Sequence, residues 1–459
     1  MKTTLTNKKQ IDLTKGSPLR LILSFYWPLL LTSALQQFYN FADTWIVGKG
    51  LGDNALAAVG NMGSLFFLIV GFSFGLANGF SVLVAQSYGA KDYESLKQRL
   101  AAIVELGIIL SAVLSVVSVV FLPYALRLLR TDSLIMKDSL IYGYIIFGGI
   151  FTNISYNIFS AVLRALGDSK TPLKAIIASS LINIALNSLF IFVFKMGVEG
   201  AAIATIIAQI VSAIICINRL RQIEIIKLEK SHFRSGVTVF GELLKNGLPM
   251  AFMNSITAIG CMVVQYFVNG HGVVFTAAYA ACSKYLNLFM TPASTAGNAM
   301  SAYTSQNYGA KEYGRIREGL FVCLGISAAS YLVLGSLMVF IPSRLAGLLL
   351  SGKEQISLVC DFLPRCGIMM IFVDTLFVVR SAVQGMGKPM LPMVSGILEM
   401  VLRILTISLF IGKIGFPATA YAEISAWIGA LAVNAYAFYA SLGPHLYKRH
   451  IIRSKRAFQ

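Results

Sequence analysis

Three polar residues mark one stretch of an otherwise apolar segment. Gln36, Asn40 and Asp43 fall at i, i+4 and i+7, so a helix puts them on one face. Thr32 and Ser33 extend that stripe, and Pro28 lies 15 residues before Asp43, where a proline can bend a helix. A stripe of this kind on an apolar rod must face protein or water. A carboxylate within it is a candidate to take up and release a proton. Two further segments offer oxygens that could complete a hydrogen-bond or cation shell around it. Ser180, Asn183 and Asn187 share one face, and Thr205, Gln209 and Ser212 share another. The alternative role for these amides and hydroxyls is to hold helices together.

Other ionisable residues also sit inside apolar runs: Glu105, Lys284, Asp374, Glu399, Arg403 and Glu423. Such placement is costly and points to function by default. Asp374, in MMIFVDTLFVV, is flanked by apolar residues on both sides. It is a candidate to hold a cationic substrate or a proton, or to pair with Lys284. Glu399 and Arg403 are four residues apart, the spacing of an intrahelical ion pair.

The elements that carry these residues read as membrane helices. Of 459 residues, 56% are hydrophobic and 13% charged, against about 25% charged in a soluble globular chain. Twelve apolar runs are long enough for a bilayer core that takes roughly 20 residues per helix. They lie near 22–46, 55–83, 100–122, 138–163, 174–194 and 199–218, then near 247–268, 275–303, 318–341, 360–383, 390–412 and 417–441. The expected fold class is an all-α polytopic membrane protein. The net charge of +18 follows topology rather than nucleic acid. With the N-terminus inside, the inner segments hold 27 Lys and Arg and the outer loops 9, which places both termini in the cytoplasm of a multi-pass inner-membrane protein. The six cysteines show no metal spacing and read as free thiols. No cleavable leader is expected at the N-terminus. No phosphate loop, GxSxG or HExxH is present, so neither ATP use nor enzymatic chemistry is expected.

The chain is also written twice. QSYGAKDY (Gln86–Tyr93) returns as QNYGAKEY (Gln306–Tyr313), 220 residues on. Pro28 pairs with Pro249, Gly167 with Gly387, and GVEGAAIAT more weakly with GFPATAYAE. Six spans per copy make parallel repeats, the internal symmetry of secondary transporters. The expected division is an N-terminal six-helix lobe at 1–218, a cytoplasmic linker at 219–246 and a C-terminal six-helix lobe at 247–459. The repeated phrase marks helix exits, with Gly89 and Gly309 expected to end the helices and Lys91 and Lys311 to anchor the inner face.

These features in this order, with LRALGDSKTP and GVEGAAIATIIAQ, resemble the multidrug and toxic compound extrusion (MATE) family over nearly the whole chain. The resemblance implies two six-helix bundles forming a V around a central cavity, and export of organic cations driven by inward H⁺ or Na⁺. It makes Asp43 the first-helix acid, Pro28 the bending proline, and Asn183 and Thr205 members of the same N-lobe site. Gln36, Asn40, Asp374 and Lys284 are then substrate or coupling candidates, Asp374 matching the tenth-helix acid of certain members. One position departs from the family pattern. NIALN places Asn187 where relatives usually carry an aspartate, and NSITAIG in the seventh span lacks the acid of some relatives. One charge fewer in the N-lobe favours H⁺ over Na⁺. The implied partners are membrane lipids and a small organic cation, with no cofactor beyond the coupling ion, and a monomer is expected. A lipid or lipid-linked sugar flippase of the same superfamily is the alternative. It should line its cavity with several cations, and this chain offers only Lys284 and Arg403. A channel fits duplicated halves with isolated buried acids less well.

Overall fold

A computed structural model describes residues 11–129, 131–234 and 236–457. Lys2, Lys8, Lys9 and Arg130, counted in the charge pattern, lie outside these residues. The described chain is helical throughout. In order the helices are α1 (Pro18–Leu51), α2 (Asp53–Ala90), α3 (Tyr93–Leu128), α4 (Ser133–Gly148), α5 (Ile150–Ala165), α6 (Lys170–Ser188) and α7 (Val198–Arg221). After two short 3-10 turns come α8 (Val237–Asn269), α9 (Val273–Gly309), α10 (Tyr313–Phe340), α11 (Pro342–Leu349), α12 (Lys353–Gly385), α13 (Met390–Ile414) and α14 (Pro417–Ala457).

Eleven of these helices are long and apolar enough to cross a membrane singly, and α4 with α5 makes the twelfth span. The apolar run near 138–163 is thus two helices meeting at 44°. The cause is the Gly148–Gly149 pair, a recognised site of helix kinks. A Cβ on Gly149 would stand 2.3 Å from Ile206 Cδ1, so the bend lets the chain pass close to α7. The corresponding stretch of the second repeat, within α12, has no such pair and runs unbroken. The outer faces are apolar as well. Ile108, Val116 and Phe121 of α3 and Leu332 and Val333 of α10 are all exposed, as side chains facing lipid should be.

The helices cluster into two compact units. The first takes in the residues through Asp12 and Trp27–Ala251, and the second Leu13–Tyr26 and the chain from Phe252 on. Residues 219–246 therefore cluster with the first unit, together with the opening turns of α8. Each unit has its own core. Phe80, Leu96, Ile103, Phe147 and Leu163 centre the first, and Phe362, Met370, Phe416 and Trp427 the second.

Small residues set how closely helices approach in a membrane. Within the first unit α2 meets the start of α8 at two glycines. A Cβ on Gly75 would lie 2.5 Å from Ala251 Cα, and one on Gly79 would lie 2.5 Å from Gly247 Cα. Backbone stands in the way at both, so no rotamer change relieves the clash. Gly79→Val is expected to lower stability by about 1–3 kcal/mol, the scale of forced overpacking, read as a lower melting temperature in detergent.

The repeated octapeptide forms the same corner twice. Each α2 and α9 exit is a Schellman turn. Asp92 N–H donates to Ser87 O at 3.0 Å and Lys91 N–H to Tyr88 O at 3.1 Å; Glu312 and Lys311 repeat this on Asn307 O and Tyr308 O at 2.8 and 3.1 Å. The left-handed residue is Lys91 (φ 59°) in one copy and Lys311 (φ 60°) in the other. The expectation that Gly89 ends its helix is corrected: Gly89 stays inside α2, and the lysine takes the strained position. Asp92 also caps α3, its carboxylate accepting from Ser95 N–H at 3.1 Å. Glu312, one methylene longer, makes no such cap on α10.

Candidate functional site

In the first unit α1, α6 and α7 bring four of the expected residues into one hydrogen-bonded chain. Asn187 Nδ2 donates to Asp43 Oδ1 at 2.5 Å and to Asn183 Oδ1 at 2.8 Å. Asn183 Nδ2 donates to Thr205 Oγ1 at 3.2 Å, and Thr205 Oγ1 in turn donates to Ala201 O at 3.0 Å. Asn183, Asn187 and Thr205 are buried, while Asp43 is half-buried. Tyr39 and Tyr142 lie near enough to Asp43 to feel its charge. The donors diverge from Asn187: one of its bonds points at the carboxylate, and the others run from Asn187 through Asn183 and Thr205 to the Ala201 carbonyl. One atom is left over: Asn187 Oδ1 is buried without a hydrogen-bond partner.

Local sequence explains how this cluster is held. Asn183 and Asn187 are one helical turn apart on α6. Immediately beyond, Leu189–Val193 widens into a π-helical turn. Such turns are rare and concentrate at functional sites. Ile191 of that turn packs with Ile46, Val47 and Ala201, a small core beneath the Asp43 end of α1. Gly50 admits it, since a Cβ there would meet Ile191 Cγ2 at 2.3 Å. Nothing in the apolar run LFIFV announced the π turn.

The rest of the α1 stripe does not join. Gln36 and Asn40 are exposed, and Asn40 takes part only through its carbonyl, which accepts from Thr44 Oγ1 at 2.8 Å. Thr32 is buried and turns back to the carbonyl of Pro28 at 2.7 Å. That back-bond sits at the helix proline, and both features favour a bend there.

The second unit holds a different polar interior. Asp374 on α12 is fully buried, and neither carboxylate oxygen has a hydrogen-bond partner. The pairing with Lys284 is not formed: Lys284 is exposed on α9 and no ion pair joins the two. The Glu399–Arg403 pair does form, at 3.0 Å, but as the middle of a longer chain. Arg380 Nη2 meets Glu399 Oε2 at 2.6 Å, and Arg403 Nη2 meets Glu423 Oε2 at 2.9 Å. Tyr279 Oη donates to Glu423 Oε1 at 3.4 Å. Two arginines and two glutamates from α12, α13 and α14 thus neutralise one another in the interior.

Arg380 is the residue sequence reasoning missed. It ends an apolar run and passed as one of the inner-face charges. The signal was available, since VVRSAV places it among apolar residues. Glu105, half-buried on α3, joins neither group. Among nearby aromatics, Tyr279, Tyr285 and Phe289 of α9 belong to the second core, whereas Phe38 and Phe41 of α1 and Tyr266 of α8 are exposed.

Comparisons with known proteins agree on one family. The MatE family profile matches residues 28–189 and 249–408, once in each repeat. The "Probable multidrug resistance protein YoeA" of Bacillus subtilis is 31% identical over 77% of this chain and 77% of its own length. The "Probable multidrug resistance protein YpnP" of the same organism is 28% identical over 96% of this chain and 97% of its own. A solved structure described as MATE in complex with MaL6 superposes with a TM-score of 0.88 at 19% identity, covering 96% of this chain and all of that one. At that identity the superposition shows the fold: twelve helices in two six-helix lobes.

Proposed function

The chain belongs to the MatE family of multi-pass membrane transporters, and from that premise we propose that it exports organic cations, drugs among them, in exchange for protons. Transport proceeds by alternating access of the two six-helix units. The protein lies in the cytoplasmic membrane with both termini inside, following its Lys and Arg distribution. The names of its relatives, multidrug resistance proteins, support the choice of cargo.

The observation that carries the coupling ion is the orphaned Oδ1 of Asn187 beside Asp43. An ionised Asp43 accepts from Asn187 Nδ2. A protonated Asp43 becomes a donor and needs an acceptor, and Asn187 can supply its unused Oδ1 by turning its amide over together with that of Asn183, so that Asn183 Nδ2 donates to Asn187 Oδ1 and Thr205 Oγ1 donates to Asn183 Oδ1. The pair thus has a hydrogen-bonded arrangement for each protonation state. A sodium ion asks for something else: several oxygens converging on one point. Here the amide nearest the carboxylate presents nitrogen, and Asn187 brings no second negative charge. The coupling set is therefore Asp43, Asn187, Asn183 and Thr205.

The flippase alternative is disfavoured by the second unit. Pyrophosphate recognition calls for cations without internal partners, and the two arginines of the buried group, Arg380 and Arg403, are committed to Glu399 and Glu423.

The test is ethidium efflux from proteoliposomes given a pH gradient or a sodium gradient alone. Efflux is expected with the pH gradient, together with proton uptake in the opposite direction. Efflux sustained by sodium with the pH gradient collapsed would overturn proton coupling.

A further inference from the structure

The two octapeptide corners do more than turn the chain. In the second unit the corner between α9 and α10 grips the segment that leads into α1. Leu13 N–H donates to Gln306 Oε1 at 3.0 Å, and Leu13 O accepts from Asn307 Nδ2 at 3.1 Å. Arg315, two residues past the octapeptide, donates from Nη1 to Gly16 O at 2.9 Å and from Nη2 to Leu13 O at 3.3 Å. Its Nε donates to Asn307 Oδ1 at 3.0 Å, which fixes Asn307 in turn. The Leu13 side chain is only 1% exposed. Gly16, at φ 98°, turns the chain out of this grip towards Pro18 and the start of α1.

The first unit does the same with the segment that leads into α8. Its 3-10 turns, Glu224–Ile226 and Lys230–Arg234, pack on α3. Buried His232 accepts Glu229 N–H at Nδ1 (2.8 Å), so its Nε2 carries the hydrogen that faces Glu94 Oε1 at 3.3 Å. Arg99 of α3 binds Ser87 Oγ of the octapeptide at 2.6 Å and Glu242 of α8 at 3.0 Å.

The membership of the two gripped segments is what matters. Leu13–Tyr26 clusters with the second unit, yet α1 from Trp27 onward clusters with the first. The α8 turns through Ala251 cluster with the first unit, and the chain from Phe252 with the second. Both changes fall within three residues of a helix proline, Pro28 or Pro249. So each repeat's leading helix is rooted in the other repeat's corner.

We propose that the α9–α10 corner is a latch for the chain's own N-terminal strap. Gln306, Asn307 and Arg315 hold Leu13–Gly16 in one transport state and release it in another. The inference rests on the alternating-access reading above. Displacement of the Asp43 helix must be absorbed where that helix is rooted, and the latch is built to let go. It grips mainly backbone groups through hydrogen bonds, each worth a factor of about 2 to 10 in the docked-to-free ratio. This gives the repeated phrase a role besides turning the chain: it places Gln306 and Asn307 on the last turn of α9, facing the strap.

The test uses Leu13→Cys in a background carrying Cys261→Ser and Cys360→Ser, in inside-out vesicles treated with a membrane-impermeant maleimide. Labelling should be slow in this parent, about 2- to 10-fold faster with Arg315→Ala added, and faster again when ethidium and a pH gradient drive turnover. The buried Cys282 and Cys366 must stay unlabelled, which shows that the fold is intact. A reversible short cross-link between Leu13→Cys and Asn307→Cys should stop efflux, and dithiothreitol should restore it. Equal labelling with and without Arg315→Ala would overturn the docking. Undiminished efflux in the cross-linked protein would overturn the release. If the uncross-linked protein moves no ethidium at all, the transport reading fails instead, and the labelling comparison still decides whether the strap docks as described.

Discussion

Asp43→Asn is expected to bring pH-driven ethidium efflux down to background, a loss on the order of 100-fold, the scale of removing a proton-transferring group from a coupled step. The substitution changes one oxygen for an amide nitrogen and keeps the shape of the side chain. The new side chain keeps an oxygen that can go on accepting from Asn187 Nδ2, so the hydrogen-bonded chain through Asn183 to Thr205 has a way to persist. Melting temperature and ethidium binding should therefore stay near those of the parent, and proton uptake during turnover should vanish. Asn187→Ala is the companion measurement. It removes the donor and the spare acceptor but leaves the carboxylate, so efflux should weaken without disappearing. Parental efflux in Asp43→Asn would exclude this carboxylate as the coupling group and leave Asp374 as the buried acid without an ionic partner among the described residues.

How much of this was legible beforehand divides along a physical line. The number of spans and the duplication could be read because both rest on properties of long stretches, apolar length and repeated letters. The N-lobe group was legible in its members, since Asp43, Asn183, Asn187 and Thr205 are polar residues with nowhere to hide in an apolar helix. Their order was not. Which amide proton faces which oxygen depends on helix rotation, and that is set by packing around Ile191 and Gly50. Periodicity carried Gln36 and Asn40 into the same stripe as Asp43, yet they end exposed. A stripe 100° wide does not say which end of it a neighbouring helix will cover.

The second unit shows the same limit more sharply. Glu399 and Arg403 announce themselves because their spacing is local. Arg380 and Glu423 lie about 20 residues away on other helices, and only tertiary packing turns four charges into one neutral group. A pair between Asp374 and Lys284 would also be long-range, and the two face different surroundings, one buried and the other exposed. The octapeptide is the opposite case. Its turn is local, so its place at a helix exit was readable, although lysine rather than glycine takes the left-handed position. Its grip on Leu13, nearly 300 residues away, was beyond any local pattern.

Arg403→Met should be the most damaging substitution to stability in the second unit. Arg403 is the hub of the buried group: its guanidinium meets both Glu399 and Glu423. Without it, Glu399 keeps Arg380, but Glu423 keeps only the Tyr279 hydroxyl. A buried charge stripped of its partner costs about 3–5 kcal/mol, which corresponds to a fall of roughly 10 °C in melting temperature for a unit of this size. Buried Cys282 and Cys366 lie in the same core and report the transition through a thiol-reactive dye. The decisive comparison is the double substitution Arg403→Met with Glu423→Gln. It removes one charge of each sign and leaves the Arg380–Glu399 pair, so most of the lost stability should return. Arg403→Lys should fall between, because an ammonium cannot span two carboxylates as a planar guanidinium does. If Arg403→Met melts with the parent, the glutamates do not depend on it. Glu423 would then be a second buried acid open to cargo or proton, and coupling could not be assigned to the first unit alone.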